Sequence, residues 1–330
     1  MSDTFPRQHA RTQRLTLGEP RNFTVSPDGA RIVFARSATG SDPVNMLWVL
    51  DVESGTERTV LDPRNIPADL AALTDEEKRR RERAREGAGG VVSYSCDADA
   101  TKAVTILGGQ LFVVDLLTDA VSTPAVAPGV FDARLSPDGT RIAYVRGASL
   151  CVCDLAGNER VIAHEDSANV SWGSADFIAA EEMGRQRGYW WSPEGTHIAA
   201  CRVDESPVDV WHIADPAHPE RGAVEHRYPA AGTQNALVEL AVINVATSAR
   251  VPVSLPVHHE YLNSVSWTDG GLIAQTQTRD QRAVTVSRID PSTGDCTTVF
   301  EDIDDAWVEL VPGVPFVDSH GHLVTCADRD

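Results

Sequence analysis

The stretch "FTVSPDGARIVFAR" (residues 23–36) recurs in altered form as "ARLSPDGTRIAYVR" (133–146) and "YWWSPEGTHIAACR" (189–202). Each copy begins with a short strand-like segment, passes through Ser-Pro-Asp/Glu-Gly and continues as an alternating segment. Proline at the second position and glycine at the fourth suit a type I turn, and the flanking segments have the composition of strands. Each copy is therefore predicted to be a β-hairpin.

A second pattern supplies two more strands per repeat. Its copies share an apolar run that ends in Asp, a turn and a further strand: "MLWVLDVESGTERTVL" (46–61), "LFVVDLLTDAVSTPAV" (111–126), "SLCVCDLAGNERVIA" (149–163) and "VTVSRIDPSTGDCTTVF" (284–300). Units of about 40 residues with four antiparallel strands are typical of propeller blades. A β-sandwich would not explain the recurring phrase. The prediction is an all-β fold, a β-propeller over residues 1–330 with about six to seven blades of an expected eight.

One segment departs from this pattern. "LTDEEKRRRERAREGAGG" (73–90) is rich in helix-forming residues. Thr74 with Glu77 forms a capping box, and Gly87 stands where a C-terminal cap belongs. A charged helical arm is therefore expected at about 74–87, with its helix over 75–86, inserted into the propeller. Since it is polar on all sides, it is either a solvated helix or an arm that contacts another element.

Composition excludes several classes of function. The formal net charge of −19 opposes binding to nucleic acid, which requires clustered Lys and Arg. Neither a secretory signal nor an apolar run of about 18 to 20 residues occurs, so a cytoplasmic protein without a membrane partner is expected. Six cysteines are too few for a disulfide scaffold. Cys151 and Cys153, two residues apart, are predicted to be buried on one face of a strand.

The segment "AEEMGRQRGYWWSPEG" (180–195) resembles the glutamate motif of the dipeptidyl peptidase IV branch of the prolyl oligopeptidase family. That motif has a Glu pair, Gly-Arg-x-Arg-Gly, aromatic residues and Ser-Pro-Asp-Gly. Three further segments match in order: "EEKRRRERAREG" (76–87) with the strands after it, "RVDESPVDVW" (202–211) and "YPAAGTQNALVELAVIN" (228–244). The resemblance therefore covers nearly the whole chain.

The resemblance implies an N-terminal propeller that acts with a C-terminal α/β-hydrolase domain of the same full-length protein. Members of the family are serine peptidases that release dipeptides from free N-termini, with Pro or Ala in the penultimate position. This chain contains no G-x-S-x-G nucleophile elbow and no alternation of strands and helices, so the Ser-Asp-His triad cannot be assigned. It ends at "LVTCADRD", within an expected blade. The chain alone is expected to have no catalytic residues and no peptidase activity.

Glu181 and Glu182 are the central candidate residues. Adjacent strand residues point to opposite faces, so the two carboxylates can converge only if the backbone leaves the strand in a loop or short helix. Such a pair favours a cation between the two charges, and a peptide α-ammonium, with a pKa of about 7.7–8.0, supplies one. Without the resemblance the pair would be interpreted as a solvated turn; with it, the pair is predicted to bind the substrate N-terminus.

In bacterial family members that carry a helical arm, an arginine of the arm helps to hold the first carbonyl of the substrate. By this resemblance Arg81, Arg83 and Arg85 are candidate substrate-binding residues. Arg81 and Arg85 share a helix face that Arg83 does not. The sequence leaves the choice among the three open.

No metal or cofactor is expected. His258, His259 and Glu260 adjoin one another, and His320 and His322 would share a strand face, but neither group shows a second cluster at recognisable zinc-site spacing. A homodimer is retained as a partner hypothesis.

Two other hypotheses for function remain. One is a free-standing propeller that acts as a protein-interaction scaffold, which the reading frame after Asp330 would distinguish from a peptidase. The other is an enzyme with its site in the propeller channel, but the Glu pair is the single candidate found for it.

Overall fold

The computed structural model describes residues 4–66 and 87–327. The predicted arm at 74–87 and its arginines Arg81, Arg83 and Arg85 fall almost wholly outside these ranges. The chain divides into two compact units, residues 1–162 and 163–330. Among the described helices, none has the length and apolar character needed to cross a membrane.

The first unit contains helix α1 (Phe5–Arg11), a short 3₁₀ helix (Pro63–Asn65) and three four-stranded antiparallel sheets in chain order. The first sheet comprises β1 (Arg21–Val25), β2 (Arg31–Ser37), β3 (Val44–Asp51) and β4 (Thr56–Leu61), with β5 (Gly89–Gly90) parallel to β3. The second comprises β6 (Tyr94–Cys96), β7 (Lys102–Leu107), β8 (Gln110–Asp115) and β9 (Val121–Ser122). The third comprises β10 (Val130–Leu135), β11 (Arg141–Arg146), β12 (Ser149–Asp154) and β13 (Glu159–Ala163).

The second unit contains two further sheets of this kind. In the first of them, β14 (Val170–Trp172) and β15 (Tyr189–Trp191) both pair with β16 (His197–Asp204), which continues to β19 (Leu237–Asn244) and β20 (Arg250–Pro252). Helix α2 (Phe177–Glu181) lies between β14 and β15, and the separate hairpin β17 (Val210–Ile213) and β18 (Val224–Arg227) lies between β16 and β19. The other sheet comprises β21 (Tyr261–Thr268), β22 (Gly271–Gln277), β23 (Ala283–Ile289) and β24 (Cys296–Ile303), followed by the hairpin β25 (Phe316–Val317) and β26 (Leu323–Val324).

The three repeated phrases form the predicted hairpins, and their turns share one set of hydrogen bonds. In the first copy, Gly29 N donates to Ser26 O at 2.8 Å, and Arg31 N donates to Ser26 Oγ at 2.9 Å. Ser26 Oγ also donates to Asp28, and this bond is the main cause of a lowered Asp28 pKa. Gly29 has φ +70°, a conformation that glycine adopts without strain. Local chemistry thus specifies each turn.

The third strand of four of the sheets, namely β3, β8, β12 and β23, is ended or followed directly by an aspartate that caps a turn. Asp51 Oδ1 accepts from Ser54 N at 2.8 Å, and Asp154 Oδ1 accepts from Asn158 N at 2.9 Å. Asp115 and Asp290 accept backbone N–H groups in the same way. These aspartates recur because a side-chain acceptor fixes the reversal into the fourth strand.

Apolar side chains between neighbouring sheets form the core of each unit. In the first unit, Val33 and Leu47 pack with Phe112 between the first and second sheets. Leu111 packs with Tyr144 between the second and third sheets. In the second unit, Trp190 and Leu240 pack with Leu272. Cys151 and Cys153 are buried in β12, as predicted. The all-β prediction with four-stranded antiparallel blades is confirmed.

The described residues contain five blade sheets and the separate hairpins β17–β18 and β25–β26. The β17–β18 hairpin lies within residues 205–236, between two strands of the fourth blade.

Candidate functional site

The first strand of the fourth blade is interrupted. β14 pairs with residues 202–204 of β16, and β15 pairs with residues 198–200. Cys201 lies between the two registers: its N–H donates to Gly188 O at 2.7 Å, and its carbonyl accepts from Gly173 N at 2.9 Å. The chain therefore leaves the strand at Gly173 and returns at Gly188. We call residues 174–187 the glutamate insert.

Helix α2 carries Glu181 and Glu182 at its C-terminal end. Asp176 is its N-cap, and Asp176 Oδ2 accepts from Ala179 N at 3.1 Å. Glu181 is the last helical residue, and Glu182 is the C-cap with φ −108° and ψ −32°. Adjacent helical side chains diverge by about 100°, against about 180° in a strand. The prediction that the backbone leaves the strand here in a short helix is confirmed.

Arg185 anchors the insert from inside. Its side chain is 4% exposed, and Nη2 lies 2.8 Å from Asp176 Oδ1. Nε donates to Leu262 O at 2.9 Å, and Nη1 donates to Arg187 O at 2.9 Å. The same guanidinium therefore holds the helix N-cap and the following turn of the insert against β21.

Two further hydrogen bonds bind carbonyl groups at the C-terminal end of α2. Arg185 N donates to Ala179 O at 2.9 Å, and Gln186 Nε2 donates to Ala180 O at 2.7 Å. Because carbonyls in the last helical turn otherwise lack partners, these bonds fix the backbone on which Glu181 and Glu182 stand.

The Glu pair lies at the solvent-exposed end of α2. Glu181 and Glu182 are both exposed, while Ala179 and Ala180 beside them are buried. The last turn of α2 contains no basic residue. Negative charge at a helix C-terminus is unfavourable, at about 0.3–1 kcal/mol per group.

A charged network holds β14 on β16 next to the insert. Arg202 Nε and Nη2 donate to the two carboxylate oxygens of Glu165 at 2.6 and 2.8 Å. The Arg202 guanidinium is the main cause of a lowered Glu165 pKa, and the same bond raises the pKa of Arg202. Trp172 Nε1 donates to Glu165 Oε1 at 3.2 Å. These residues serve as a fixed support for the insert.

An aromatic chain connects α2 to the hairpin β17–β18. Phe177, the first residue of α2, meets Tyr228 edge-on with ring centroids 5.3 Å apart, and Tyr228 meets Trp211 edge-on at 5.6 Å. The Glu pair and the hairpin therefore belong to one packed group of the second unit.

Sequence reasoning did not assign roles to Asp176 and Arg185. An Asp before an apolar helical run is a cap signal that could have identified Asp176. The position of Arg185 within Gly-Arg-x-Arg-Gly does not indicate that it is buried, because its partner Leu262 lies 77 residues further along the chain. The candidates Arg81, Arg83 and Arg85 lie outside the described residues.

The histidine candidates differ in their surroundings. Glu260 Oε1 accepts from Asn235 Nδ2 at 2.8 Å, and His259 Nδ1 lies 3.0 Å from Thr276 Oγ1. His320 and His322 lie in the turn between β25 and β26, so the expected shared strand face is wrong. The Asp318 side chain caps this turn and keeps both histidines out of the strand.

Comparisons with known proteins agree on one family. Residues 105–330 match the family model described as the dipeptidyl peptidase IV (DPP IV) N-terminal region. Human dipeptidyl peptidase 8 is 24% identical over 319 residues, which covers 79% of this chain and 35% of the human protein. Dipeptidyl peptidase 4 of Trichophyton tonsurans is 29% identical over 151 residues, covering 42% of this chain and 19% of that protein.

A solved structure shares the fold. The crystal structure of Porphyromonas gingivalis dipeptidyl peptidase 4 superposes with a TM-score of 0.67 at 20% identity, covering 87% of this chain and 40% of that chain. This chain therefore spans well under half the length of each of these three proteins.

Proposed function

Because the chain belongs to the dipeptidyl peptidase IV N-terminal region family, we propose that it is the propeller part of a serine exopeptidase that gates access of substrate and binds its free N-terminus. In this proposal Glu181 and Glu182 bind the α-ammonium group of a peptide. A C-terminal hydrolase domain of the full-length protein supplies the nucleophile, its base and the oxyanion hole, so the chain alone does not hydrolyse peptides.

The observation that carries the proposal is the placement of the Glu pair. Glu181 and Glu182 are exposed at the C-terminal end of α2. A buried ion pair between Arg185 and the N-cap Asp176 fixes the position of this helix. The exposure of both residues leaves the pair accessible to a ligand from solvent. A binding role requires a rigid base and accessible charges, and this arrangement supplies both.

The chemistry of such a site explains exopeptidase specificity. An ammonium group between two carboxylates forms charge-assisted hydrogen bonds with both. An acylated or internal peptide nitrogen carries no charge and cannot form these charge-assisted bonds, so it is discriminated against. Fixing the N-terminus in this way would place the scissile bond at a constant distance from the Glu pair and release dipeptides. An arginine of the 74–87 arm remains the proposed partner of the first carbonyl.

Kinetics of the full-length protein test the Glu pair. Glu181→Gln and Glu182→Gln should each lower kcat/KM for a Gly-Pro amide with a free amine by roughly 10- to 150-fold, because each removes a charge-assisted bond of about 1.5–3 kcal/mol. Glu194→Gln, in the exposed turn before β16, is the matched control and should leave kcat/KM unchanged. Unchanged kinetics in both Glu-pair variants, with a lowered melting temperature, would assign the pair a structural role.

A homodimer is also proposed, and the exposed hairpin β17–β18 supports it. Trp211 is 50% exposed, Ile213 56% and Val224 58%, on a two-stranded sheet whose outer edges can accept further strands. Apolar side chains beside open strand edges suit a second copy of the same hairpin. Trp211→Ser should shift the protein towards monomer in analytical ultracentrifugation, whereas Trp307→Ser, which alters an exposed Trp elsewhere, should not.

A further inference from the structure

We infer that Asp318, His320 and His322 form a binding site for a divalent transition-metal ion such as Zn²⁺. The three residues occupy the turn between β25 and β26. Among the described residues, they are the group of metal-ligating side chains whose donor atoms all lie within 4.8 Å of one another. The inference is independent of the proposed peptide site.

One of the two carboxylate oxygens of Asp318 holds the turn between β25 and β26. Asp318 Oδ1 accepts from His320 N at 2.9 Å and from His322 N at 2.8 Å. Asp318 N donates to His322 O at 3.0 Å, and Gly321 N donates to Asp318 O at 3.0 Å. One carboxylate oxygen therefore organises the backbone, and the other is directed at the two imidazoles.

The donor atoms already stand at separations suited to an ion. Asp318 Oδ2 lies 3.1 Å from His322 Nδ1 and 3.8 Å from His320 Nδ1. Ligands bound tetrahedrally at about 2.0–2.2 Å from Zn²⁺ lie about 3.4 Å apart. Small side-chain rotations would place the ion between the three atoms. The imidazoles are 77% and 75% exposed, so a fourth position remains open to water.

The donor set determines which ion fits. Two imidazole nitrogens and one carboxylate oxygen suit Zn²⁺, Ni²⁺ and Cu²⁺, whereas Mg²⁺ and Ca²⁺ require mainly oxygen ligands. Asp318 adds one carboxylate oxygen to the two imidazole nitrogens, and its Oδ2 faces both rings.

Calorimetric titration of the untagged protein with ZnCl₂ tests the inference, with MgCl₂ as the control ion. We expect one Zn²⁺ per chain and no measurable Mg²⁺ binding. Asp318→Asn retains an oxygen that can accept the turn's N–H groups and replaces the other oxygen with an amide, so it should weaken Zn²⁺ binding by roughly tenfold or more while the turn persists. His320→Gln and His322→Gln should weaken it to a similar degree.

His218→Gln is the matched control. His218 is an exposed histidine 3.2 Å from the carboxylate of Glu220, outside the Asp318 cluster, so its replacement should leave Zn²⁺ affinity unchanged. Thermal melts of every variant identify loss of affinity through unfolding. The inference is overturned if wild-type protein binds no Zn²⁺, if His320→Gln and His322→Gln bind as wild type does, or if Mg²⁺ binds equally well.

Discussion

Arg185 links three parts of the second unit through one side chain. It pairs with Asp176 at the start of α2, donates to Leu262 O in β21 and donates to Arg187 O within its own loop. A guanidinium has five N–H donors in a fixed planar fork, and a lysine could not satisfy these acceptors together. The position of the Glu pair therefore depends on a residue that is itself buried.

Replacement of Arg185 by Ala should destabilise the protein by about 3–5 kcal/mol, because Asp176 would remain buried without its charge partner. Urea-induced unfolding, followed by tryptophan fluorescence, measures this change. Arg187→Ala is the control in the same loop: Arg187 is half-buried, donates to Tyr189 O and lies 5.2 Å over the Trp190 ring. Its loss should cost about 1 kcal/mol. Equal costs for the two variants would contradict the anchoring role of Arg185.

At the scale of elements, the glutamate insert depends on how closely its two ends approach. A Cβ atom added to Gly188 would lie 2.3 Å from Ser174 O and 2.4 Å from Ser174 C. Both contacts are with backbone at the other end of the insert, so a rotamer change cannot relieve them. A side chain at residue 188 would therefore force β14 and β15 apart on β16.

Gly188→Ala should lower the free energy of unfolding by about 3 kcal/mol, the upper end of the usual cost of overpacking. Gly222→Ala is the comparison: residue 222 lies before β18, has no atom within 4 Å of an added Cβ, and should change stability by less than about 0.5 kcal/mol. The denaturant concentrations at the midpoints of unfolding compare the stability of the two variants. A Gly188→Ala variant as stable as Gly222→Ala would mean that the ends of the insert can separate freely.

At the scale of the whole molecule, the six cysteines differ in their access to solvent. Cys151, Cys153 and Cys201 are buried, and Cys326 is exposed. Burial raises the pKa of Cys151 to about 11 and that of Cys153 to about 12, and it also raises the pKa of Cys201. Because the thiolate is the reactive form, these thiols should be almost inert in the folded protein near pH 8.

Titration with a chromogenic disulfide reagent at pH 8 should therefore show one fast thiol in native protein and six after denaturation. Cys96 and Cys296 are half-buried. Burial is the main cause of the raised pKa of each thiol, to about 12 for Cys96. Both thiols should therefore react slowly. Cys326→Ser should abolish the fast phase. Several fast thiols in the native protein would show that its sheets open readily.

Much of the fold could be predicted because its signals are local. The Ser-Pro-Asp-Gly turns are closed by bonds between residues at most five positions apart, such as Arg31 N to Ser26 Oγ. The aspartates that end the third strands cap turns over two to four residues. The separate pairing of β17 with β18 is not a local signal of this kind, because the hairpin interrupts the blade between β16 and β19.

The sequence by itself therefore determined the hairpins, the departure of the chain from the strand at Glu181 and Glu182, and the likeness to one family. Tertiary structure alone decided how the Glu pair is held: Cys201 joins the two ends of the insert, and Arg185 reaches Leu262 across 77 residues. The turn that gathers Asp318, His320 and His322 is a local feature instead, with partners two to four residues apart, although the sequence suggested that the histidines would lie in a strand. The reason is physical: turn chemistry acts within a few residues, whereas burial and distant pairing depend on which segments the completed fold places side by side.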